Sequence, residues 1–276
     1  MRLQRSLRVV PIALIAAAFA LPLYLAAVNV FKTQEQILRA PIALPSPFTL
    51  DNLIKILSRS DQLVFRGLAT SAGVVLVSIS GLVFFSSLIG YYIARHPTPL
   101  TRFLQLLFLL GMLVPPQVTL IPVVRLFQGL HLMGTFQGLV LYFVGGGLLS
   151  FGVFVYTGFV KNIPTDLDDA AIVDGAGEFR LFWQIIFPLM RPATATVMIF
   201  LSLWIWNEFL IPLIILGPAQ GVTVTTGIYF ALGQASSISY GQMFSMMLIS
   251  ALPMLIVFFA LQREFVAGLS SGALKG

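Results

Sequence analysis

The chemistry most worth locating in this sequence belongs to an acid inside an apolar run. Glu208 stands in Trp204-Ile205-Trp206-Asn207-Glu208-Phe209, within a run from Thr194 to Leu216. At about 1.5 Å per residue from Pro192, Asn207 and Glu208 fall slightly outside the middle of a bilayer. A carboxylate there costs about 2.5–3.5 kcal/mol on insertion scales, so it must face a cavity or a partner. Tryptophan faces cover the apolar faces of sugar rings, and amides bond hydroxyls. Trp204, Asn207 and Glu208 are therefore candidates to line a path for a polar solute. The competing reading is structural, with Asn207 satisfying backbone that Pro212 frees. Gln117 is a fourth candidate for such a wall, beside Pro115-Pro116 in another apolar run. Simple kinking by the prolines accounts for that stretch equally well.

Other chemistries are absent from the residue list. There is no Cys, hence no disulfide, thiolate nucleophile or thiolate metal site. His96 and His131 are far apart and beside turn residues, which suits ordinary loop positions better than a metal centre. No GxxxxGK[ST] phosphate loop occurs, so the chain does not bind ATP in that way. The net charge of +6 comes from scattered residues rather than a basic patch, so a nucleic-acid surface is not indicated.

The second stretch with internal order is Thr165 to Pro188. Thr165 is placed to cap a short helix, with Asp168 three residues on to reach back to the cap. Leu167, Ala170 and Ala171 share one face at helical spacing. Gly175 offers a left-handed stop. Phe179, Phe182, Trp183 and Ile186 then recur at i, i+3, i+4 and i+7 of a second helix, which Pro188 ends. The product is a helix–turn–helix knob with an acidic start and an aromatic stripe. It is shaped to sit in a groove on another protein. The bland alternative is an amphipathic loop on the membrane surface.

These residues need a scaffold, and composition says which kind. The chain of 276 residues is 58% hydrophobic and 9% charged, against about 25% charged in soluble domains. Its mean hydropathy is +0.96. Six apolar runs read as membrane spans: 9–30, 67–94, 103–124, 136–160, 194–216 and 244–261. The first follows Arg2, Arg5 and Arg8, but it is longer than the roughly 7–15 residues of a signal h-region and reads as a retained span. Between the first two, Thr49 or Asp51 could cap a short surface helix bearing Leu53, Ile54 and Leu57. The second run is rich in Gly and Ser, read as close helix packing rather than a polar path. Gly145-Gly146-Gly147 makes the fourth run flexible or closely packed, and 217–240 reads as an outer loop. With both termini inside, ten of the sixteen Lys and Arg residues fall on the cytoplasmic side, including Arg95, Lys161, Arg180, Arg191 and Lys275. That bias puts the knob in the cytoplasm.

The knob also carries a family resemblance. Asp169-Ala170-Ala171, Gly175 and Ile185-Ile186-Phe187-Pro188 resemble the cytoplasmic coupling loop of ABC importer permeases. Two positions depart from the usual pattern: Asp169 replaces Glu, with a shorter reach, and Phe187 replaces Leu. More widely, the chain resembles the carbohydrate-type permeases, in particular the second permease of the maltose kind. The matching parts are Pro22-Leu23-Tyr24, Phe31-Lys32, Phe48 to Leu53, Pro115 to Pro122, Trp206-Asn207-Glu208-Phe209 and the tail Gln262 to Gly276.

The resemblance implies an all-α polytopic membrane protein of the type I ABC importer permease fold, with six transmembrane helices. It implies residues 1–66 as a first span and outer loop, 67–262 as a core holding the coupling loop 161–191, and 263–276 as a cytoplasmic tail. Asp169, Ala170, Ala171, Asp174, Gly175, Phe179, Phe182, Ile185 and Pro188 are then the residues that couple to an ATPase. Catalytic and metal sites are not expected in the chain, and ATP and Mg belong to a partner. The implied partners are a second permease, two ATP-binding subunits and an extracytoplasmic sugar-binding protein, in a bacterial or archaeal inner membrane. Two other classes compete. An ion-coupled secondary carrier of a polar solute would show repeated halves and midplane ions, but the runs hold one acid. A membrane enzyme would need His, Cys or paired carboxylates at membrane depth, and none occurs.

Overall fold

The computed structural model describes residues 2–217, 221–233 and 238–273, with side chains from 11 to 263 among them. The end of the tail, including Lys275, lies outside the described residues, as do parts of the stretch read as a final outer loop. Among the described residues every regular element is a helix and no strand occurs. Three helices are long and apolar enough to cross a membrane alone: α1 (Arg2–Asn29), α4 (Leu63–Arg95) and the last helix, α14 (Tyr240–Ala273). Three bent helix pairs supply the remaining candidates, so the described residues hold up to six spans.

Each bend departs from a straight apolar run, and each has a local cause. The third run turns by 101° between α5 (Pro99–Leu113) and α6 (Pro116–Gly129). Val114 and Pro115 are extended there, because a residue before proline is pushed out of the helical region. The fourth run bends by 43° between α7 (Phe136–Gly145) and α8 (Gly147–Val160), at the glycine triplet. The fifth run, expected to be continuous from 194 to 216, stops at the end of α11 (Arg191–Asn207). It resumes as α12 (Leu210–Ile215). The stretch read as an outer loop contains a further helix, α13 (Val224–Gly233). Its Thr and Gly content hid an apolar helix whose Val224, Thr226, Gly227 and Ala231 are buried.

Two compact units contain these elements, residues 1–68 with 224–253, and 69–223 with 254–276. In the first, Asn52 is the anchor. Its side-chain amide donates to the carbonyls of Val30 (2.9 Å) and Lys32 (2.7 Å). Lys32 is buried, and its ammonium donates to the carbonyls of Ala40 and Pro41, each at 2.9 Å. Loss of water pushes its pKa below the usual lysine value. Helix α3 (Asp51–Leu57) thus buries Asn52 and Ile56, while Ile54 and Leu57 of the expected face are exposed. The N-cap is Leu50, without a side-chain cap bond, so neither Thr49 nor Asp51 takes the expected cap position; Thr49, one residue earlier, accepts the Asp51 N–H at 3.1 Å. Helix α2 (Gln34–Arg39) was not anticipated. It starts in a capping box of Thr33 and Gln36, a signal that the sequence does carry.

In the second unit α8 is central, and α5, α7 and α11 pack on it. Small residues let α4 approach the same helix. A Cβ on Gly90 would lie 2.7 Å from Cβ of Tyr156 and 3.0 Å from the backbone nitrogen of Thr157. Ser71, Ser78, Ser86 and Ser87 of α4 are buried, so the Gly/Ser-rich face is a packing face, as expected. Tyr156, fully buried, donates to Thr194 of α11 at 2.9 Å, and Thr194 donates to the Met190 carbonyl. Gly90→Val should therefore overpack this contact and lower the thermal unfolding temperature of the detergent-solubilised protein. A loss of about 1–3 kcal/mol is expected. Gly158→Val, where nothing lies within 4 Å, should leave it nearly unchanged.

Candidate functional site

The knob folds as two short helices. The first, α9 (Asp166–Val173), ends at Gly175, which takes a φ of +79°. The Ala176 N–H bonds the Ala171 carbonyl and the Gly175 N–H bonds that of Ile172, each at 2.9 Å. This is the predicted left-handed stop, closed as a Schellman pair. The start differs from expectation. Thr165 is itself helical and makes no side-chain cap. The Asp168 carboxylate does not return to it, because it pairs with Arg95 at the end of α4, Nε to Oδ2 at 2.6 Å and Nη2 to Oδ1 at 3.2 Å.

The second helix, α10 (Glu178–Leu189), changes register part-way. Leu181–Ile186 is a π-helical stretch, and the Phe187 N–H reaches back to the Phe182 carbonyl. Pro188 therefore does not end the helix as expected. The wider turn accommodates a residue without an N–H, and the chain breaks by 72° only before Arg191. The π stretch also splits the aromatic stripe. Phe182 and Ile186 are buried, Trp183 and Ile185 are half-buried, and Phe179 alone is 78% exposed.

The aromatic stripe faces inward onto α4. Phe182 lies 5.2 Å from Tyr91, and Trp183 stacks on Phe84 at 5.8 Å, centroid to centroid. Phe182, Trp183 and Phe187 also contact one another. On α9, Ala171 is buried while Ala170 and Asp169 are exposed, and Leu167 is 41% exposed. The three do not form one packed face. What the hairpin presents outward is Leu167, Ile172, Val173 and Phe179, interleaved with Asp166, Asp169, Asp174 and Glu178. An apolar tip ringed by carboxylates suits a groove with basic edges.

The second candidate group divides. Trp204 and Asn207 are exposed at i, i+3 on α11, whereas Trp206 is buried. Glu208 is at the break after α11. Its Oε1 accepts from the N–H groups of Leu210 (3.0 Å) and Ile211 (3.3 Å). The half-buried acid thus satisfies the start of α12 from the residue before its N-cap, Phe209. The Asn207 amide donates to the Leu203 carbonyl at 2.7 Å within its own helix, so it does not serve the backbone freed by Pro212. Gln117 is exposed in the first turn of α6.

Residues 86–271 match the family model of the binding-protein-dependent transport system inner membrane component. The chain belongs to that family. The matched region contains both the hairpin and the Glu208 break.

Similar members include the probable starch degradation products transport system permease protein AmyC of Thermoanaerobacterium thermosulfurigenes. It is 32% identical, with 92% of this chain and 91% of the relative covered. The arabinooligosaccharides transport system permease protein AraQ of Bacillus subtilis is 30% identical over 95% and 93% of the two chains. A crystal structure of a bacterial ABC transporter that imports the acidic polysaccharide alginate superposes with a TM-score of 0.80. It is 18% identical and covers 96% and 97% of the chains. The fold is thus that of a type I importer permease, and the chain is a multi-pass membrane protein, a permease component of a transport system.

In such a permease the Glu208 cap has a measurable consequence. Glu208→Ala should lower the unfolding temperature in detergent by the equivalent of about 1–2 kcal/mol, the loss typical of a removed cap. Glu208→Gln retains an acceptor oxygen and should fall between alanine and the unsubstituted protein.

Proposed function

We propose that this chain is the permease subunit of an ATP-driven importer for a sugar, oligosaccharide or polyol. Its hairpin 165–188 transmits movement from a separate ATPase. The exposed tip of the hairpin carries this reading. Leu167, Ile172, Val173 and Phe179 are too apolar to be left in water as a group, and the carboxylates around them give a protein groove its register. Charge bias supports a cytoplasmic side for the hairpin, where a nucleotide-driven partner works. The carbohydrate class rests on relatives named for starch products and arabinooligosaccharides.

The complex then comprises a second permease, forming a heterodimer, two ATP-binding subunits and an extracytoplasmic sugar-binding protein, in the inner membrane of a bacterium or archaeon. ATP and Mg bind the partner subunits, where hydrolysis occurs. Closure of the ATP-bound dimer draws the hairpins together, and the spans rock from inward-open to outward-open. The Asp169 position, one methylene shorter than Glu, keeps the charge for a basic partner.

Gly175 gives the direct test. Nothing lies within 4 Å of a Cβ there, so Gly175→Val acts through the strain of φ +79° rather than a clash. Uptake per ATP hydrolysed, measured in proteoliposomes, should fall with the protein still inserted; full uptake would contradict the reading. Trp204→Ala and Asn207→Ala test the exposed α11 face. If it lines the path, substrate stimulation of ATP hydrolysis should weaken in both, and an unaltered response would remove them from the path.

A further inference from the structure

The hairpin is joined to α8 by the short stretch 161–165, but α4 is distant in sequence and can follow the hairpin only through contacts. The polar one is Arg95, the last residue of α4. Its guanidinium meets three things at once. Nη1 donates to the Ile163 carbonyl at 3.0 Å and reaches that of Val160 at 3.5 Å, both just past or at the end of α8. Nη2 donates to Oδ1 of Asp168 in the first turn of α9, 73 residues away in sequence, and Nε lies 2.6 Å from Oδ2 as an ion-pair contact without a hydrogen bond. The side chains are 8% and 14% exposed, so water screens the pair little. Each charge also sits at the helix end that favours it, the cation at the C-terminus of α4 and the anion at the N-terminus of α9. Arg95 extends a line along α4, since Phe84, Tyr91 and Arg95 recur at near-helical spacing and the first two hold the aromatic side of the hairpin.

We infer that Arg95 is a positioning residue for energy transfer: its fork locks α9 to the ends of α4 and α8, so that a displacement of the hairpin moves α4 with it. The inference rests on the coupling reading and adds the element through which the load leaves the hairpin. A planar guanidinium suits the task because its donors are fixed relative to one another. Lysine can keep the charge but cannot hold the carboxylate and both carbonyls in one geometry.

The test uses the whole transporter, with its ATP-binding subunits and binding protein, in proteoliposomes. The chain has no Cys, so Asp166→Cys on α9 and Leu76→Cys on α4, both exposed positions, accept spin labels. Their separation is read without nucleotide and with Mg-ATP and vanadate. It should stay constant with Arg95 and Asp168 intact, and shift or broaden on adding nucleotide in Asp168→Asn and Arg95→Ala. Uptake per ATP, assayed with radiolabelled maltotriose, arabinotriose and raffinose, should fall about tenfold in those variants, within the usual range of coupling free energies, and less in Arg95→Lys. Asp168→Asn keeps the side-chain shape, so it decides the matter if Arg95→Ala fails to insert. A nucleotide-independent separation and unchanged uptake per ATP in Asp168→Asn, with Gly175→Val uncoupled, would overturn the locking role alone. If Gly175→Val also keeps full uptake per ATP, the coupling reading itself fails.

Discussion

A backbone that leaves the helix inside or beside a bilayer must find its hydrogen bonds within the protein, because lipid offers none. That constraint explains much of this permease. The chain breaks its helices at Val114–Pro115, at Gly146, before Arg191 and at Glu208–Phe209. At Glu208 the side chain supplies the missing acceptor for two N–H groups. Just past the end of α8 the Arg95 guanidinium donates to the Ile163 carbonyl and reaches that of Val160, which also accepts from the Ile163 N–H. In both places the charge is an internal ligand of the backbone. Its membrane cost, about 2.5–3.5 kcal/mol for an unpaired acid on insertion scales, is offset by the bonds it makes.

The same economy shapes the hairpin. Its aromatic residues other than Phe179 pack toward α4, and its outward face is left to aliphatics, Phe179 and carboxylates. A stiff base with a chemically mixed tip is what transmission of force requires. Tight packing of Phe182 and Trp183 against Tyr91 and Phe84 resists shear, while Val173 and Phe179 remain free to enter a groove.

Much of this was readable in the chain. The six apolar runs, the Gly/Ser packing face and the left-handed turn at Gly175 each follow from a local rule, and local rules act within a few residues. The Thr33–Gln36 capping box is equally local. What could not be read is non-local or depends on phase. Asp168 was assigned to its own helix cap because its actual partner, Arg95, is on another helix. The stripe Phe179–Ile186 was counted at 3.6 residues per turn, and a π stretch of six residues rotates its members onto different faces. Glu208 was correctly singled out as an acid needing a partner. That the partner is the backbone of the next helix follows only once the run is known to break there. The apolar helix Val224–Gly233 was hidden by Thr and Gly, residues that suit both loops and membrane helices.

On this proposal the tip of the hairpin 165–188 docks in a nucleotide-driven partner on the cytoplasmic side. Val173, 86% exposed, is the position to interrogate. With Val173→Cys in the otherwise cysteine-free chain, a photoactivatable thiol cross-linker applied to the assembled transporter should join this residue to the ATP-binding subunit. In intact cells the same thiol should be shielded from a membrane-impermeant maleimide. Labelling of that cysteine from outside, or a cross-link that never reaches the ATP-binding subunit, would contradict the account.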